Sequence, residues 1–476
     1  MALVHHLTVA ATLTACLGAI AFVRVEEPIL LQAERATLTD VMPATTRAAF
    51  EGDSYITGFS NTRGEVRFDV DAERAGVFDL AIRYSAPPGG KGYTLGVNDI
   101  GSDGFFPASP EGWATFDAGK IELVSGQNAI VIGKGWGYYD LDSIRLTPSI
   151  AYAMPKPVPP VLATTKPSPA ASALMKTLVD AYGKQTLSGA ISTEDHDYIR
   201  ETTGLTPAIA AGDLIDYTPS RVKHGVDPSK ETERLIAAHD AGQIVTLSWH
   251  WNAPTNLIDK KEHVDANGNT IDASWYRGFY ANSTTFDFAA ALDHPDSREY
   301  RLLVRDIDAI AVQLRRLRDA GVPVLWRPLH ESDGKWFWWG TRGPDQFKKL
   351  WRLVFDRLTV HHDLDNLIWV YTWNDPDWYP GDDVVDIVGI DAYPSKVNDL
   401  LSATWSAAFK TFDGRKLIAL AEFGGVPDID RMNRLGIRWS YFASWTGDLG
   451  PKKNVRADLI RIYQSPSVRN LDKQTR

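Results

Sequence analysis

Cysteine is nearly missing from this chain of 476 residues, which contains a single one, Cys16. Cys16 lies in the N-terminal stretch, so removal of that stretch would leave a protein without thiols. Disulfide bonds, thiol catalysis and cysteine-based zinc sites would then be excluded. A large domain can dispense with disulfides because its hydrophobic core suffices to stabilise the fold.

The chain also lacks an excess of positive charge. It contains 50 Lys and Arg against 60 Asp and Glu, a net charge of −10. Nucleic acids and anionic membrane surfaces attract basic proteins, so neither is expected as a partner. An uncharged polymer is compatible with this net charge as a binding partner. Aromatic residues, in contrast, are plentiful at 11%, including 16 Trp.

The apolar run at residues 7–21 is too short for a persuasive transmembrane helix. It is typical of a signal peptide, with Ala19-Ile20-Ala21 as a cleavage site, and predicts that residues 1–21 are removed from a secreted, extracellular protein. The stretch Leu13-Thr-Ala-Cys16 also resembles a bacterial lipoprotein signal, which would attach the protein to a membrane through a lipid on Cys16. This second interpretation stays open.

Proline divides the remaining chain in two. Residues 148–169 contain seven prolines and little that could pack, which indicates a semi-rigid, extended linker. Before it, residues 28–147 contain short runs of alternating apolar and polar residues, such as Glu65-Val-Arg-Phe-Asp-Val70, separated by Gly, Asn and Pro turns. This period of two predicts an all-β sandwich that resembles a jelly roll.

Residues 170–476 repeat an apolar strand, a polar loop and an amphipathic helix. Eight candidate strands lie at residues 186–191, 206–213, 244–249, 322–328, 366–371, 387–391, 417–421 and 440–445. Eight βα units over about 300 residues predict a (β/α)8 TIM barrel, whose active site lies at the carboxyl ends of the strands. The fold class is therefore α/β, with an all-β module in front.

Two glutamates follow candidate strands of this barrel. Glu331 comes after the fourth strand and Glu422 after the seventh, so both are expected in the same mouth. Aromatic residues follow Glu331 in the string Trp336-Phe-Trp-Trp-Gly340. Paired carboxyl groups and aromatic faces that stack on sugar rings predict glycoside hydrolysis.

Four strings carry a more specific resemblance: Leu325-Trp-Arg-Pro-Leu-His-Glu331, Ser248-Trp-His-Trp-Asn-Ala-Pro254, Gly389-Ile-Asp-Ala-Tyr393 and Ala421-Glu-Phe-Gly424. Together they resemble glycoside hydrolase family 26, chiefly endo-β-1,4-mannanases, over essentially everything after the linker. The resemblance implies that Glu331 is the general acid/base and Glu422 the nucleophile of a retaining double displacement. The two carboxyl groups should then lie about 5 to 5.5 Å apart. No cofactor is expected in catalysis.

The same resemblance implies contacts to the substrate, a mannan, glucomannan or galactomannan. His250 and His330 match positions that contact the sugar at the cleavage subsite, and Trp336 and Trp445 match aromatic walls around it. Tyr393 matches a tyrosine that orients the nucleophile.

Four more residues are expected around these. Arg327 and Asp391 are expected to support the site by hydrogen bonds to the carboxyl groups. Trp275 and Tyr276, in the insertion after the third strand, would either stack more distant sugars or pack within their loop.

The first domain contains Gln32-Ala-Glu34 near its start and Tyr139-Asp-Leu-Asp142 near its end, which resemble carbohydrate-binding module family 35. That resemblance implies a structural calcium held by Glu34 and Asp142. Many relatives have Glu where this chain has Gln32. Three aromatic residues are candidates for a sugar platform, with core packing as the alternative: Trp113, Trp136 and Tyr138.

Two other functions remain open at this point. The same mechanism acts on mixed-linkage β-glucan or β-1,3-xylan in similar barrels, and contacts to the axial 2-hydroxyl of mannose decide between these substrates. A barrel that has lost activity would instead be a non-catalytic carbohydrate-binding protein, although the presence of both Glu331 and Glu422 counts against this. A monomer is expected.

Overall fold

The computed structural model describes residues 27–60, 63–265 and 267–471. These residues form an N-terminal β-sandwich and a C-terminal barrel, each with its own hydrophobic core. In these ranges no helix is both long enough and apolar enough to cross a membrane. The predicted signal peptide, residues 1–21, and Cys16 lie outside the described residues.

The sandwich is made of eleven strands within the described ranges: β1 (Ile29–Gln32), β2 (Thr37–Thr39), β3 (Met42–Ala44), β4 (Tyr55–Thr57), β5 (Glu65–Ala72), β6 (Gly76–Ser85), β7 (Lys91–Val97), β8 (Ile100–Phe106), β9 (Trp113–Leu123), β10 (Gly126–Lys134) and β11 (Asp140–Ser149). One sheet has the order β3-β4-β11-β6-β9, with β1 also paired to β11, and the other has the order β2-β5-β10-β7-β8. In β5 every second side chain is buried, as the alternation in sequence requires. The predicted β-sandwich is confirmed.

Twelve further strands follow: β12 (Thr186–Leu187), β13 (Gly189–Ala190), β14 (Ile209–Asp213), β15 (Ile244–Trp249), β16 (Lys260–Val264), β17 (Thr270–Ala273), β18 (Val324–Pro328), β19 (Leu367–Thr372), β20 (Ile387–Ala392), β21 (Leu417–Phe423), β22 (Phe442–Ser444) and β23 (Val468–Arg469). Eight of them close a parallel barrel in the order β13-β14-β15-β18-β19-β20-β21-β22. The predicted TIM barrel is confirmed. Strands β16 and β17 form a separate hairpin in the insertion after the third barrel strand.

The helices of the described chain surround the barrel: α1 (Pro169–Ala181), α2 (Thr193–Thr203), α3 (Pro219–Lys223), α4 (Glu231–Asp240), α5 (Phe288–Asp293), α6 (Arg298–Asp319), α7 (Gly343–Asp356), α8 (Ser402–Phe412), α9 (Ile429–Arg434) and α10 (Arg456–Gln464). Helix α6 shows why they form. Its side chains Leu303, Ile307, Ile310 and Leu314 recur at spacings of three and four residues and are all buried. Ser297 begins the helix by accepting a hydrogen bond from the backbone N–H of Tyr300.

The proline-rich segment between the two bodies packs against the barrel. Residues 150–168 contain no helix or strand, yet Val158 and Leu162 are buried beside barrel residues. The backbone N–H of Ala163 donates to Asp386 at 2.6 Å. This packing differs from the expected linker with little that could pack. Prolines hold the backbone extended, so that the apolar residues between them reach the barrel surface.

The sandwich also contacts the barrel through β8 and β9, the edge strands of its two sheets. The backbone N–H of Asp103 donates to Asp399 Oδ2 at 3.1 Å, and that of Lys120 donates to Ser402 Oγ at 2.7 Å. Both acceptors belong to the barrel segment from the end of β20 to the start of α8. This segment therefore covers the two edges that a free sandwich would expose.

Candidate active site

Glu331 and Glu422 meet at the carboxyl ends of the barrel strands. Glu331 lies three residues after β18, and Glu422 is the next-to-last residue of β21. One carboxylate oxygen of Glu331, one of Asp391 and one of Glu422 all lie within 4.8 Å of one another. An inverting hydrolase needs about 6.5 to 9.5 Å between its two carboxyl groups to admit a water, so this spacing suits a retaining reaction.

The backbone that presents Glu331 is unusual. Leu329 and Glu331 both adopt left-handed conformations, with φ of 52° and 53°. Non-glycine residues in this region are strained, and such strain concentrates at functional sites because the surrounding structure has to hold it. Trp339 Nε1 donates to the backbone carbonyl of His330 at 2.9 Å and so fixes the turn between them.

Glu422 is buried and accepts two hydrogen bonds from side chains. Arg327 donates to its Oε1 and the hydroxyl of Tyr393 donates to its Oε2. Arg327 also donates to Asp391 Oδ2 at 2.6 Å. These donors fix the orientation of the Glu422 carboxylate, which acts only as an acceptor in its ionised form.

Glu331 has a different environment. Its Oε2 accepts a hydrogen bond from Trp336 Nε1 at 2.9 Å, but no guanidinium contacts it among the described residues. Burial, assisted by the nearby charge of Glu422, raises the pKa of Glu331 to about 7. This carboxyl group therefore keeps its proton near neutral pH, as a general acid must.

Asp391 is the third carboxyl group of the cluster. Burial raises its pKa well above the ordinary value, although the charge of Arg327 opposes this shift. Three carboxyl groups thus lie close together, and the one guanidinium beside them contacts only Glu422 and Asp391. Full ionisation of all three is unfavourable, which helps Glu331 to stay protonated.

A chain of three side chains lies on the other side of the mouth. His250 Nδ1 contacts Asp213 Oδ2, and its backbone N–H donates to Asp213 Oδ1 at 3.1 Å. His250 Nε2 lies 3.2 Å from His330 Nε2. Burial lowers the pKa of His250, but the Asp213 carboxylate outweighs it, so the pKa is raised. Burial and the charge of His250 hold the pKa of His330 well below its usual value.

The opposite directions of these two pKa shifts favour the proton on His250 over His330. A protonated His250 donates through Nδ1 to Asp213 and through Nε2 to His330. Neutral His330 would then accept at Nε2, while its Nδ1 is buried without a hydrogen-bond partner. The charge of Glu422 also contributes to raising the pKa of His250, so the imidazole and this carboxyl group influence each other.

Aromatic rings line the opening. Trp336 is 49% exposed, and Trp445 lies edge-on to Tyr393 with ring centroids 5.9 Å apart. In the insertion after β15, Trp275 stacks on His224 at 4.9 Å, while Tyr276 is 43% exposed and donates to Asp272. One face of Trp275 is thus covered by His224, which directly follows α3.

Three residues near the site did not emerge from the sequence: Asp213, Phe337 and Thr372. Asp213 ends β14, and a carboxylate at the carboxyl end of a barrel strand is a signal that could have identified it. Phe337 packs edge-on to His250 at 5.5 Å. Thr372 accepts from Arg327 at 3.3 Å. The spacing of residues along the sequence does not indicate the contact of Phe337 with His250 or that of Thr372 with Arg327.

In the sandwich, the residues expected to hold calcium have different partners. Asp142 accepts hydrogen bonds from Arg83 Nε at 2.5 Å and from the backbone N–H of Glu51 at 3.0 Å. A guanidinium thus already neutralises Asp142. Gln32 Oε1 and Glu34 Oε2, in contrast, are buried without a hydrogen-bond partner. These two oxygens fit a hard cation such as calcium, whereas Asp142 does not.

The three aromatic residues proposed as a sugar platform in the sandwich differ in how much of each side chain is exposed to solvent. Trp113 donates to the carbonyl of Ala48 and has the guanidinium groups of Arg47 and Arg83 within 5.9 and 5.6 Å of its ring. It is therefore not a free platform. Trp136 and Tyr138 are 60% and 58% exposed.

Known proteins resemble this chain in both domains. The family model described as "Glycosyl hydrolase family 26" matches residues 163–473, and "Carbohydrate binding module (family 35)" matches residues 29–149. A mannan endo-1,4-beta-mannosidase of Thermothelomyces thermophilus is 41% identical over 449 residues, covering 93% of this chain and 89% of the relative.

Solved structures agree. A GH26-CBM35 beta-(1,4)-mannanase from Podospora anserina is 41% identical with a TM-score of 0.67, covering 94% of this chain and 98% of that one. A ruminal GH26 endo-beta-1,4-mannanase is 26% identical with a TM-score of 0.64 over 94% of this chain and 98% of its own. Sequence, fold and the two converging glutamates lead to one conclusion: the chain belongs to glycosyl hydrolase family 26.

Proposed function

We propose that this protein is an endo-β-1,4-mannanase that cleaves internal bonds of mannan, glucomannan and galactomannan with retention of anomeric configuration. The spacing of Glu331 and Glu422 carries this proposal, since it leaves no room for a water between the two carboxyl groups. Mannanases that cover nearly the whole chain at 41% identity support the substrate. A β-glucanase, a β-1,3-xylanase and a non-catalytic binding protein are not favoured by these relatives.

In the first step the Glu331 carboxyl group gives its proton to the glycosidic oxygen while Glu422 attacks the anomeric carbon. The bond between that carbon and the oxygen breaks, and a glycosyl ester forms on Glu422. In the second step Glu331, now ionised, takes a proton from water, whose oxygen attacks the same carbon and releases Glu422. Glu331 thus regains a proton from water, and Glu422 returns to a free carboxylate, while the first proton leaves on the released sugar hydroxyl.

The other residues of the mouth prepare these steps. Arg327 and Tyr393 hold Glu422 in the orientation for attack. His250, His330, Trp336 and Trp445 surround the sugar at the cleavage point, and Trp275 and Tyr276 extend the groove. The guanidinium of Arg327 places a positive charge beside Glu422 and Asp391, and neither of the two steps above uses a metal.

The decisive experiment measures reducing-end release from linear mannan, glucomannan, galactomannan, mixed-linkage β-glucan and β-1,3-xylan. Glu422→Ala should abolish turnover while folding and mannan binding persist. Short mixed products from the mannans alone are expected. Activity on the glucan or xylan alone would reject the substrate, and full activity of Glu422→Ala would reject the nucleophile.

Three further features complete the proposal. We infer secretion, supported by the leader-like residues 1–21. A monomer is sufficient because one chain supplies both glutamates. A structural calcium would be held by Gln32 and Glu34, supported by their two unpartnered oxygens.

A further inference from the structure

The indole of Trp336 lies directly on the backbone of Gly334, in the turn that follows the general acid. A Cβ atom at Gly334 would lie 2.0 Å from Trp336 Cη2, 2.0 Å from Cζ3 and 2.4 Å from Cε3, which are the three heavy atoms nearest to that position outside the flanking residues. Carbon atoms in contact normally stay about 3.5 to 4.0 Å apart. Any side chain at Gly334 would therefore occupy the space of the six-membered ring.

The backbone conformation of Gly334 does not itself require glycine. Its φ lies outside the left-handed region, whereas Glu331 and Lys335, at the two ends of the same turn, have left-handed φ of 53° and 61° without being glycines. An alanine could thus adopt the backbone of Gly334 without strain. What the missing side chain permits is the close approach of the indole.

The backbone on which the ring lies is held at both ends, while the ring itself is free to move. The backbone N–H of Gly334 donates to the carbonyl of Glu331 at 3.2 Å, and the carbonyl of Trp336 accepts from the backbone N–H of Ala281 at 2.7 Å. The Trp336 side chain is 49% exposed. A methyl group at Gly334 would therefore push the ring towards solvent by about 1.5 Å and leave the turn in place.

The position of this ring matters for the general acid. Trp336 Nε1, on the edge of the indole away from Gly334, donates to Glu331 Oε2 at 2.9 Å. Burial raises the pKa of Glu331 to about 7, and the hydrogen bond from Trp336 opposes this rise because it favours the ionised carboxylate. The second step of a retaining reaction needs Glu331 in that ionised form. A ring lifted from Gly334 would carry Nε1 away from the carboxylate.

We propose that Gly334 is a positioning residue for the general acid/base. Its lack of a side chain lets the Trp336 ring lie on the turn, so that Nε1 reaches Glu331 while the outer face of the ring stays open to the sugar. Gly334 contacts neither the sugar nor the reacting atoms and acts through Trp336. The inference rests on the proposed mannanase activity.

The test measures kcat/KM against pH on a soluble manno-oligosaccharide for the wild type, Gly334→Ala, Trp336→Phe and the double variant. In Gly334→Ala the limb that falls with rising pH should move to higher pH by about 0.5 to 1 unit, because a hydrogen bond to a charged group is lost. In the Trp336→Phe background, which has no indole N–H, Gly334→Ala should not move this limb further. Gly96→Ala is the control, since its Cβ would meet Val131 at an ordinary 3.6 Å, and it should match the wild type.

A second comparison uses melting temperatures and needs no activity. Gly334→Ala should lower the melting temperature more in the wild type than in the Trp336→Ala background, where the added methyl group meets no ring. An equal change in both backgrounds would show that Gly334 serves only the turn and would overturn the proposal. So would a limb that stays in place in Gly334→Ala, or one that moves equally with and without the indole N–H. Absence of any mannan cleavage by the wild type would instead reject the proposed function.

Discussion

At the scale of single residues, the site gives two chemically identical carboxyl groups, those of Glu331 and Glu422, different hydrogen-bond partners. Glu422 is held by a guanidinium and a phenol, whereas Glu331 has only an indole N–H. The sequence identified both residues and their strands. It could not reveal this asymmetry, because Arg327 and Tyr393 are 95 and 29 positions away from Glu422 in the chain.

The pH dependence of cleavage should report the general acid. Since the pKa of Glu331 is raised to about 7, the group is protonated below that pH and loses its proton above it. We expect kcat/KM to fall as pH rises through about 7. Trp336→Phe removes the N–H that favours ionised Glu331, so this limb should move to higher pH. A limb that stays in place would show that Trp336 does not tune the acid.

Asp213 offers a test of the histidine chain. Asp213→Asn removes the charge that raises the pKa of His250, and a buried polar group that loses its partner costs about 1 to 3 kcal/mol. We therefore expect kcat to fall about five- to hundredfold, with a changed pH profile. Ser248→Ala is the control, because it removes uncharged hydroxyl contacts to Asp213 at 3.1 Å and to the Gly212 carbonyl at 3.3 Å but leaves the Asp213 charge in place. An unchanged pH profile in Asp213→Asn would show that Asp213 does not raise the pKa of His250.

At the scale of elements, the βα units were predictable because apolar runs of strand length alternate with amphipathic helices. The first and last residues of the strands were less predictable. Residues 186–191 were expected as one strand, but Thr186 and Leu187 pair with β23 and only Gly189 and Ala190 enter the barrel. Ser188 separates them, and its hydroxyl bonds to Asn470 at 2.8 Å. Such a partner 282 residues away has no signature in local sequence.

Asp399, which joins β8 to the start of α8, predicts a pH effect on stability. Burial raises its pKa in the folded state to about 6, while an unfolded chain releases this proton near pH 4. The folded state then binds the extra proton, so the free energy of unfolding should fall as pH rises from about 4 to 6. In urea titrations Asp399→Asn should show a smaller fall over this interval. An equal fall would assign the effect to other buried carboxyl groups.

At the scale of the whole molecule, composition and the proline-rich segment predicted a sandwich and a barrel. The way they join was not predictable. It depends on single polar side chains, such as Asp399 and Ser402, that meet backbone groups of the sandwich edges. Neither spacing nor periodicity indicates such contacts.

Calcium should stabilise the sandwich without changing the chemistry. A cation held by the free oxygens of Gln32 and Glu34 would add about 2.7 kcal/mol at a hundredfold excess over its Kd. We expect the unfolding temperature of the sandwich to rise with added calcium and fall with a chelator, while kcat on short oligosaccharides stays constant. Gln32→Ala should abolish the response. A response that survives this substitution would place the cation elsewhere.

The covered edges of β8 and β9 also have a consequence for biosynthesis. Lys120 is made 282 residues before Ser402, the side chain that accepts its backbone hydrogen bond. At about 5 to 20 residues per second, a ribosome takes about 15 to 60 seconds to cover that interval. During this interval the edges of β8 and β9 in the nascent sandwich have no barrel segment to cover them. Other nascent chains on the same messenger RNA expose the same two edges. Premature pairing between such chains is the hazard that this fold presents to the cell producing it.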